Sequence, residues 1–372
     1  MAAAQAWADL PAVAQALHLE VPQTPGQGIG VLVINYNTAR QTLRCLESIQ
    51  QSSILPDWVL VLDNASTSSD YQQLLQGAQV PHAGALHIYR AEQNLGFAQG
   101  SNVLIDLLLQ QSSCQYIMLL NNDAVAQKDM LEALRTALLS AGDKAGLAGG
   151  RMHKLTAPTQ VDTLGLALYA SLMPADRKTL DDIYLGPTGG CCMLKRALVD
   201  RLKSVSGYCF DPRFFCYCED ADLAMRAVLL GYLPIYLNQL LALHEGQASS
   251  GGGYNSFVAY HGLRNTLWMH AKLMPADLVW RHGLMLLLAH GLMIGRHILK
   301  GRFMLMLRVY FHAFRRLPEF MAERKNFKNF TCSDDRHALE KYIVKRFYRK
   351  GYLRSVLQMQ PALRCFFSKR KT

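Results

Sequence analysis

From Gly30 onward, short apolar runs alternate with segments whose apolar residues recur at helical spacing. Residues 31–34 predict a buried strand; Leu43, Leu46 and Ile49 put one apolar face on a helix over 38–50; residues 58–62 predict a second strand ending at Asp63. A third strand is predicted at 86–89, then a Gly-containing turn and a helix around 101–110. A fourth strand at 116–120 precedes a helix over 130–139. Strand and helix in this rhythm predict an α/β fold: a mainly parallel sheet with crossover helices on its faces. In such sheets ligands bind beyond the carboxyl ends of the strands.

The polar residues gain meaning from that placement. Asn35-Tyr36-Asn37, Asp63-Asn64-Ala65-Ser66 and Asn121-Asn122-Asp123 each follow an apolar strand directly. Taken singly, each reads as a helix cap or a turn, because Asn, Asp and Ser bond their own local backbone. Three at equivalent strand ends define a candidate site. No Gly-x-Gly-x-x-Gly follows the first strand, which argues against a dinucleotide fold, and there is no Gly-Lys-Ser/Thr phosphate loop.

Composition adds an asymmetry. The 372 residues are 50% hydrophobic and 18% charged, as in a folded, mostly soluble protein longer than one average domain. The net charge of +11 is unevenly spread: residues 271–372 carry 22 Lys/Arg against 6 Asp/Glu, and residues 1–270 carry 17 against 22. A basic excess of that kind meets phosphate, in nucleic acid or in anionic lipid headgroups. No nucleic-acid module accompanies it, so nucleic acid is disfavoured. Residues 278–299 are apolar patches broken by Arg281, His282, His290, Arg296 and His297, and the longest unbroken part, 283–289, falls far short of the ~20 residues of a spanning helix. With Arg302, Arg308, Arg315 and Arg316 nearby, the segment suits a helix lying in the interface of an anionic membrane. The competing reading is a helical cap packed on the preceding domain. Nine cysteines show neither zinc spacing nor a disulfide framework, which favours a reducing, cytosolic setting. Residues 1–28 lack a basic n-region and read as a short arm, not a signal peptide.

Six blocks in order over residues 30–265 resemble the inverting family 2 of nucleotide-sugar glycosyltransferases, especially its rhamnosyltransferase and galactofuranosyltransferase-like branch. They are Val-Ile-Asn-Tyr-Asn (33–37), Leu-Asp-Asn-Ala-Ser (62–66), Asn-Leu-Gly-Phe-Ala-Gln-Gly-Ser-Asn (94–102), Leu-Leu-Asn-Asn-Asp (119–123), Gly-Gly-Cys-Cys-Met-Leu (189–194) and Phe-Phe-Cys-Tyr-Cys-Glu-Asp-Ala-Asp-Leu (214–223), with His244 downstream. The resemblance implies an A-type glycosyltransferase fold. It implies that Asp63 bonds the pyrimidine base of the donor and that the Asn35-Tyr36-Asn37 turn lines the base pocket. The turn from Asn94 through Gly96 to Asn102 would touch base, ribose or sugar, although its glycines equally suit a tight strand-to-helix connection. Asp123, with Asn122 beside it, would be the metal-side acid. The first acid of the usual Asp-x-Asp is here Asn121, and the resemblance points to His244 as a further ligand for Mg2+ or Mn2+. A histidine bonded to backbone is the other reading of His244.

Inverting transfer needs a base for the acceptor hydroxyl and a cation for the departing diphosphate. Glu219, Asp220 and Asp222 open a helix, where the dipole favours acids. Phe214, Phe215 and Tyr217 surround them with apolar bulk that raises a carboxyl pKa. Asp220 is assigned as base, Glu219 as an acceptor contact and Asp222 as the capping acid. Gly189 and Gly190 would border the acceptor. Arg264 reads either as a diphosphate grip carried by a lid at 251–253 or as a plain surface arginine. Cys191 has no partner that would make it a nucleophile.

The expectation is therefore an arm (1–28), a catalytic domain (29–270) and a helical, basic, membrane-associating region (271–372) on the cytoplasmic face of the cell membrane. It would move rhamnose from a dTDP donor to a lipid-linked saccharide acceptor of bacterial surface polysaccharide. One alternative is a UDP-hexose or UDP-galactofuranose transferase of the same fold. Another is a catalytically silent sugar-nucleotide or glycan-binding subunit that recruits a partner to the membrane, for which the missing first acid argues.

Overall fold

A computed structural model describes residues 13–19, 27–78, 85–246, 255–328, 338–350 and 352. The chain begins with β1 (Val13–Leu19), β2 (Ile29–Asn35), α1 (Ala39–Gln50), β3 (Trp58–Asp63), α2 (Ser68–Gly77), β4 (Ala85–Ala91), α3 (Gly96–Leu109) and β5 (Tyr116–Leu120). It continues through β6 (Ala124–Ala126), α4 (Met130–Ser140), β7 (Ala145–Lys154), β8 (Ala157–Thr163), β9 (Leu166–Tyr169), β10 (Pro174–Asp176), β11 (Cys191–Lys195) and α5 (Arg196–Ser206). Then come α6 (Glu219–Leu229), β12 (Leu233–His244), α7 (Ser256–Leu273), α8 (Ala276–Leu299), α9 (Phe303–Lys328) and β13 (Ile343–Val344).

The main sheet runs β1-β4-β3-β2-β5-β11-β7-β12-β6, with β8 added on β7. Strands β4, β3, β2 and β5 are parallel, whereas β11 enters antiparallel between β5 and β7. This is the mixed, mainly parallel sheet expected. Its central strands are apolar throughout because both faces are covered. Period-two alternation divides them: Leu32, Leu60, Leu62, Ile117 and Leu119 join the core with α3, α5 and α6, while Val31, Val33, Val59, Val61 and Met118 join the core with α1 and α4. Each such burial contributes roughly 1.5–3 kcal/mol, so the sheet's register is strongly held.

Two expectations change. Residues 13–19 are not a free arm, for β1 pairs antiparallel with β4 and covers that edge of the sheet. A boundary near residue 270 falls inside α7, and the helices beyond it share the main core. Trp268 stacks on Phe320 of α9 with ring centroids 4.7 Å apart and donates to the Ala313 carbonyl at 3.0 Å. Phe320, Phe327, Leu339 and Ile343 lie in the same apolar cluster as Leu32, and β13 pairs with β9.

Buried ions tie the same elements. Lys272 on α7 meets Asp211 at 2.7 Å and Asp222 at 2.6 Å, and Arg226 meets Asp222 at 2.7 Å. Arg213 bridges Asp211 and Glu323 of α9. Buried charges persist only when paired in this way, and removing one partner of such a pair costs about 3–5 kcal/mol. The outer side of α8 and α9 is different: Trp280, Leu284, Leu287, Met304, Phe311 and Phe314 are all exposed. By length and composition α8 is apolar enough to cross a membrane. Its inner side is committed to the fold, through Leu278 and Ala289 and through His282 on the Ala170 carbonyl at 2.7 Å.

Candidate active site

The loops leaving β2, β3 and β5 and the N-terminus of α6 enclose one cavity of about 500 Å³. Of the residues singled out by sequence, Tyr36, Asn94, Gly96, Asn122, Asp123, Gly190, Glu219, Asp220 and His244 line it. The topology explains the convergence: equivalent ends of parallel strands share one edge, and antiparallel β11 delivers Gly189 and Gly190 to that edge from the opposite direction. Asn121 N–H donates to the Gly190 carbonyl at 3.0 Å and continues the pairing into the loop.

Asp123 and His244 stand side by side. The main chains are locked, since Glu245 N–H donates to the Asp123 carbonyl at 3.0 Å and β12 pairs with β6, matching His244 with Ala124. His244 Nε2 is 3.1 Å from Asp123 Oδ1, and Nδ1 is 2.7 Å from Asp162 Oδ2 on β8. Burial opposes the charged imidazole, but hydrogen bonds to Asp123 and Asp162, and their charges, push its pKa up to about 10. With ligand bonds of ~2.0–2.2 Å, neighbouring ligands of one six-coordinate ion lie ~3 Å apart. Asp123 and His244 meet that spacing, and Asp162 fixes the ring so that Nε2 faces the cavity. Among the described residues no group of three His, Cys, Asp or Glu side chains forms a ligand set, so phosphate oxygens and water would complete the shell. Asp162 escaped sequence reasoning because a lone acid on a hairpin carries no motif.

The acids of α6 sit behind a constrained loop. Phe215, Tyr217 and Cys218 adopt φ of 63°, 68° and 69°, a region that costs non-glycine residues about 1–3 kcal/mol each. Asp220 accepts from the amides of Gly189 at 3.2 Å and Ala221 at 2.8 Å. Burial raises its pKa to about 6, with those amides pulling the other way. Glu219 is raised well above the ordinary carboxyl range by burial and then by the charge of Asp220, and its Oε2 is buried without a hydrogen-bond partner among the described residues. Asp222 turns into the ion network with Lys272 and Arg226. At Gly96 a Cβ would lie 2.4 Å from the Phe215 carbonyl, and φ is +73°, so the close approach of α3 to this loop requires glycine.

Several expected contacts are committed elsewhere. Asp63 is fully buried, accepts from Asn35 Nδ2 at 3.0 Å, faces Arg90 at 3.6 Å and is not among the residues lining the cavity. Asn35 also donates to Ser66 and Asp70, and Asn37 Oδ1 accepts from the Thr67 amide at 2.8 Å. Both brace the cavity wall from behind Tyr36. Asn102 exchanges two hydrogen bonds with the Phe210 backbone, at 2.7 and 2.9 Å, and faces away from the cavity. Asn122 lines the cavity, but its amide nitrogen donates to Thr38 and Thr42. Arg264 is not a surface residue and is not among the residues lining the cavity. It is buried, with its guanidinium on Asn265 and Tyr260 and 4.3 Å from the centroid of the Trp268 ring. The lid expected at 251–253 lies outside the described residues. Asn94, by contrast, keeps its side chain at the cavity wall, accepting from Gly96 N–H at 2.8 Å and Asn64 Nδ2 at 3.1 Å. Asn64 accepts in turn from Leu95 N–H, so donors at the start of α3 are satisfied and the helix begins at Gly96, earlier than predicted.

A mixed sheet with four adjacent parallel strands, an antiparallel β11 beside them and an acid-lined cavity at the strand ends is an A-type glycosyltransferase fold. More particularly, residues 30–203 match the family described as Glycosyl transferase family 2. The match ends before α6. The N-acetylglucosaminyl-diphospho-decaprenol L-rhamnosyltransferase of Mycobacterium tuberculosis is 24% identical over 306 residues, covering 73% of this chain and 94% of the relative. Among solved structures, the mannosyltransferase PcManGT from Pyrobaculum calidifontis, in complex with GDP-Man and Mn2+, aligns with a TM-score of 0.49 and 17% identity over 84% of this chain and 89% of its own. Residues 1–349 of S. aureus TarS, in complex with UDP-GlcNAc, align with a TM-score of 0.46 and 17% identity over 82% and 93% of the two chains.

Proposed function

We propose that this glycosyltransferase moves L-rhamnose from dTDP-rhamnose, with inversion, onto a lipid-linked saccharide such as an N-acetylglucosaminyl diphospholipid. The observation that carries the reading is one cavity holding a carboxylate poised near pH 6, Asp220, together with the Asp123–His244 pair. Asp220 takes the proton of the acceptor hydroxyl as its oxygen attacks the anomeric carbon. The bond from that carbon to the diphosphate breaks, and its electron pair leaves with the diphosphate. Asp123 and His244 would hold a divalent cation, which neutralises the charge on that leaving group. Asn94 and the amide of Gly96 border the donor; Glu219, its carboxyl pKa raised by burial, borders the acceptor. The relative's substrate supports rhamnose and a diphospholipid here. Purified protein incubated with Mg2+ or Mn2+, the N-acetylglucosaminyl diphospholipid and dTDP-rhamnose, UDP-hexoses or UDP-galactofuranose in turn is expected to glycosylate the lipid only from dTDP-rhamnose; transfer from a UDP-sugar alone would reassign the donor.

Asp162 enters through the imidazole. Asp162→Asn is expected to weaken Mn2+ binding in the presence of dTDP by about 10–100-fold, read by the paramagnetic resonance of free Mn2+, since ligand-orienting carboxylates typically act at that scale.

A lipid acceptor also accounts for the outer face of α8 and α9. Its exposed Trp280, Leu284, Leu287, Met304, Phe311 and Phe314 are accompanied by Arg308 and Arg315, which suits insertion among anionic headgroups at the inner face of the cell membrane. Because these helices belong to the core, the test uses point substitutions. Wild-type protein is expected to float with phosphatidylglycerol vesicles, and Leu284→Glu/Leu287→Glu to float at least about tenfold less, given ~1.5–3 kcal/mol per buried leucine. Equal flotation would remove this face from the membrane reading.

A further inference from the structure

The loop that presents Glu219 and Asp220 has an unusual hydrogen-bond economy. Phe215 combines φ 63° with ψ −66°, and Cys216 N–H donates to the Phe214 carbonyl at 2.7 Å, a three-residue γ-turn of the strained hand. Tyr217 and Cys218 follow in the left-handed region. Along this path the carbonyls of Phe214, Cys216 and Tyr217 meet at α7. A single fully buried amide faces all three: Asn265 Nδ2 on α7 lies 2.8, 2.9 and 2.8 Å from the carbonyls of Phe214, Cys216 and Tyr217, which share its two protons. The remaining carbonyls are taken by Ala98 N–H, on Phe215, and by Asp222 N–H, on Cys218.

Asn265 is itself oriented. Arg264 Nε and one terminal nitrogen donate to Asn265 Oδ1 at 3.0 and 2.9 Å, which fixes which end of the amide faces the loop. Arg264 is packed against the rings of Tyr260 and Trp268. The loop also docks by Cys218 Sγ on Thr266 Oγ1 at 3.3 Å, on the residue of α7 that follows Asn265.

We infer that Asn265, aimed by Arg264, is the positioning residue that holds the strained 214–218 turn and so places Asp220 over the cavity. The inference rests on the reading of Asp220 as the base. Of the backbone amides of the turn, that of Cys216 serves only the Phe214 carbonyl, and those of Phe214 and Phe215 serve Asp211 and Pro212, so none of these reaches the Cys216 or Tyr217 carbonyl. Without Asn265, the Cys216 and Tyr217 carbonyls lose their donor and would need water, while the Phe214 carbonyl keeps Cys216 N–H and Arg264. The turn would relax, its thiols would open to solvent, and Asp220 would hydrate.

Two kinds of readout follow, one independent of catalysis. Cys216 and Cys218 lie in the turn, and burial keeps both thiols protonated and slow to react. In Asn265→Ala, N-ethylmaleimide should modify them about tenfold faster, located by mass spectrometry, while buried Cys45 and Cys114 react as in wild type. The kcat for rhamnosyl transfer should fall about 10–100-fold with the Kd for dTDP unchanged, and the acid limb of its pH profile should move below pH 6 as the carboxyl regains water. Unchanged labelling of the two turn thiols, or equally faster labelling of all four, overturns the inference. If Asn265→Ala does not fold, Arg264→Lys tests the same point, with faster labelling confined to the turn expected and wild-type labelling overturning it. Should the wild type transfer no sugar at all, the proposed function fails while the thiol experiment still decides the clamp.

Discussion

Asp220→Asn is expected to lower kcat by about 10²–10⁴-fold, the usual worth of a positioned general base, while the Kd for dTDP measured by calorimetry stays within about twofold. The pH dependence of the wild type follows from the same carboxyl. A base must be ionised, so kcat should fall about tenfold per unit as pH drops below about 6, and this limb should vanish in the residual activity of the variant. Stability supplies an independent check on sign. A carboxyl raised in the folded state binds its proton more tightly there than in the unfolded chain. Its contribution to stability is therefore lost as pH rises from about 3.8 through about 6. Asn removes that buried charge, so at pH 8 the variant should melt no lower than wild type. A variant that lost activity and melted far lower would indicate a broken fold and would not support Asp220 as the base.

Asp123→Ala and His244→Ala address the other half of the reaction. Each is expected to lower kcat by about 10²–10³-fold, comparable to removing one preorganised stabiliser of developing charge. The double variant should be little worse than either single one, because two ligands of one ion act as a unit. Excess Mn2+ should partly restore the singles and not the double variant. Additive losses would show that Asp123 and His244 do not share an ion. Identical metal dependence in wild type and variants would move the cation elsewhere in the cavity.

The central sheet was legible for a simple reason. Strands β2, β3 and β5 are buried on both faces, so they read as unbroken apolar runs, and polar residues stand out sharply where each one ends. Asn121–Asp123 and Glu219–Asp220 could be placed at a site from that pattern and from the resemblance together. Other side chains were not placed by sequence because residue type does not reveal direction. Asn35, Asp63 and Asn102 have the chemistry of ligand contacts, yet each is occupied by backbone or side chains of its own wall. Arg264 looked like a surface grip beside glycines and is instead packed on Trp268. Composition set the basic residues beyond 270 apart from the sheet, whereas Phe320, Phe327 and Leu339 fill the common core.

Periodicity and punctuation are local, so the amino-acid sequence by itself determined the strands, most of the helices, the edge on which ligands meet the sheet and the acids that face them. Proximity between distant segments is not local. That His244 would lie 3.1 Å from Asp123, with Asp162 behind it, and that one amide on α7 would hold the turn before Asp220, was decided only when antiparallel β11 and the returning strand β12 closed the sheet. Pairing register and side-chain direction set those contacts, and both are properties of the packed chain.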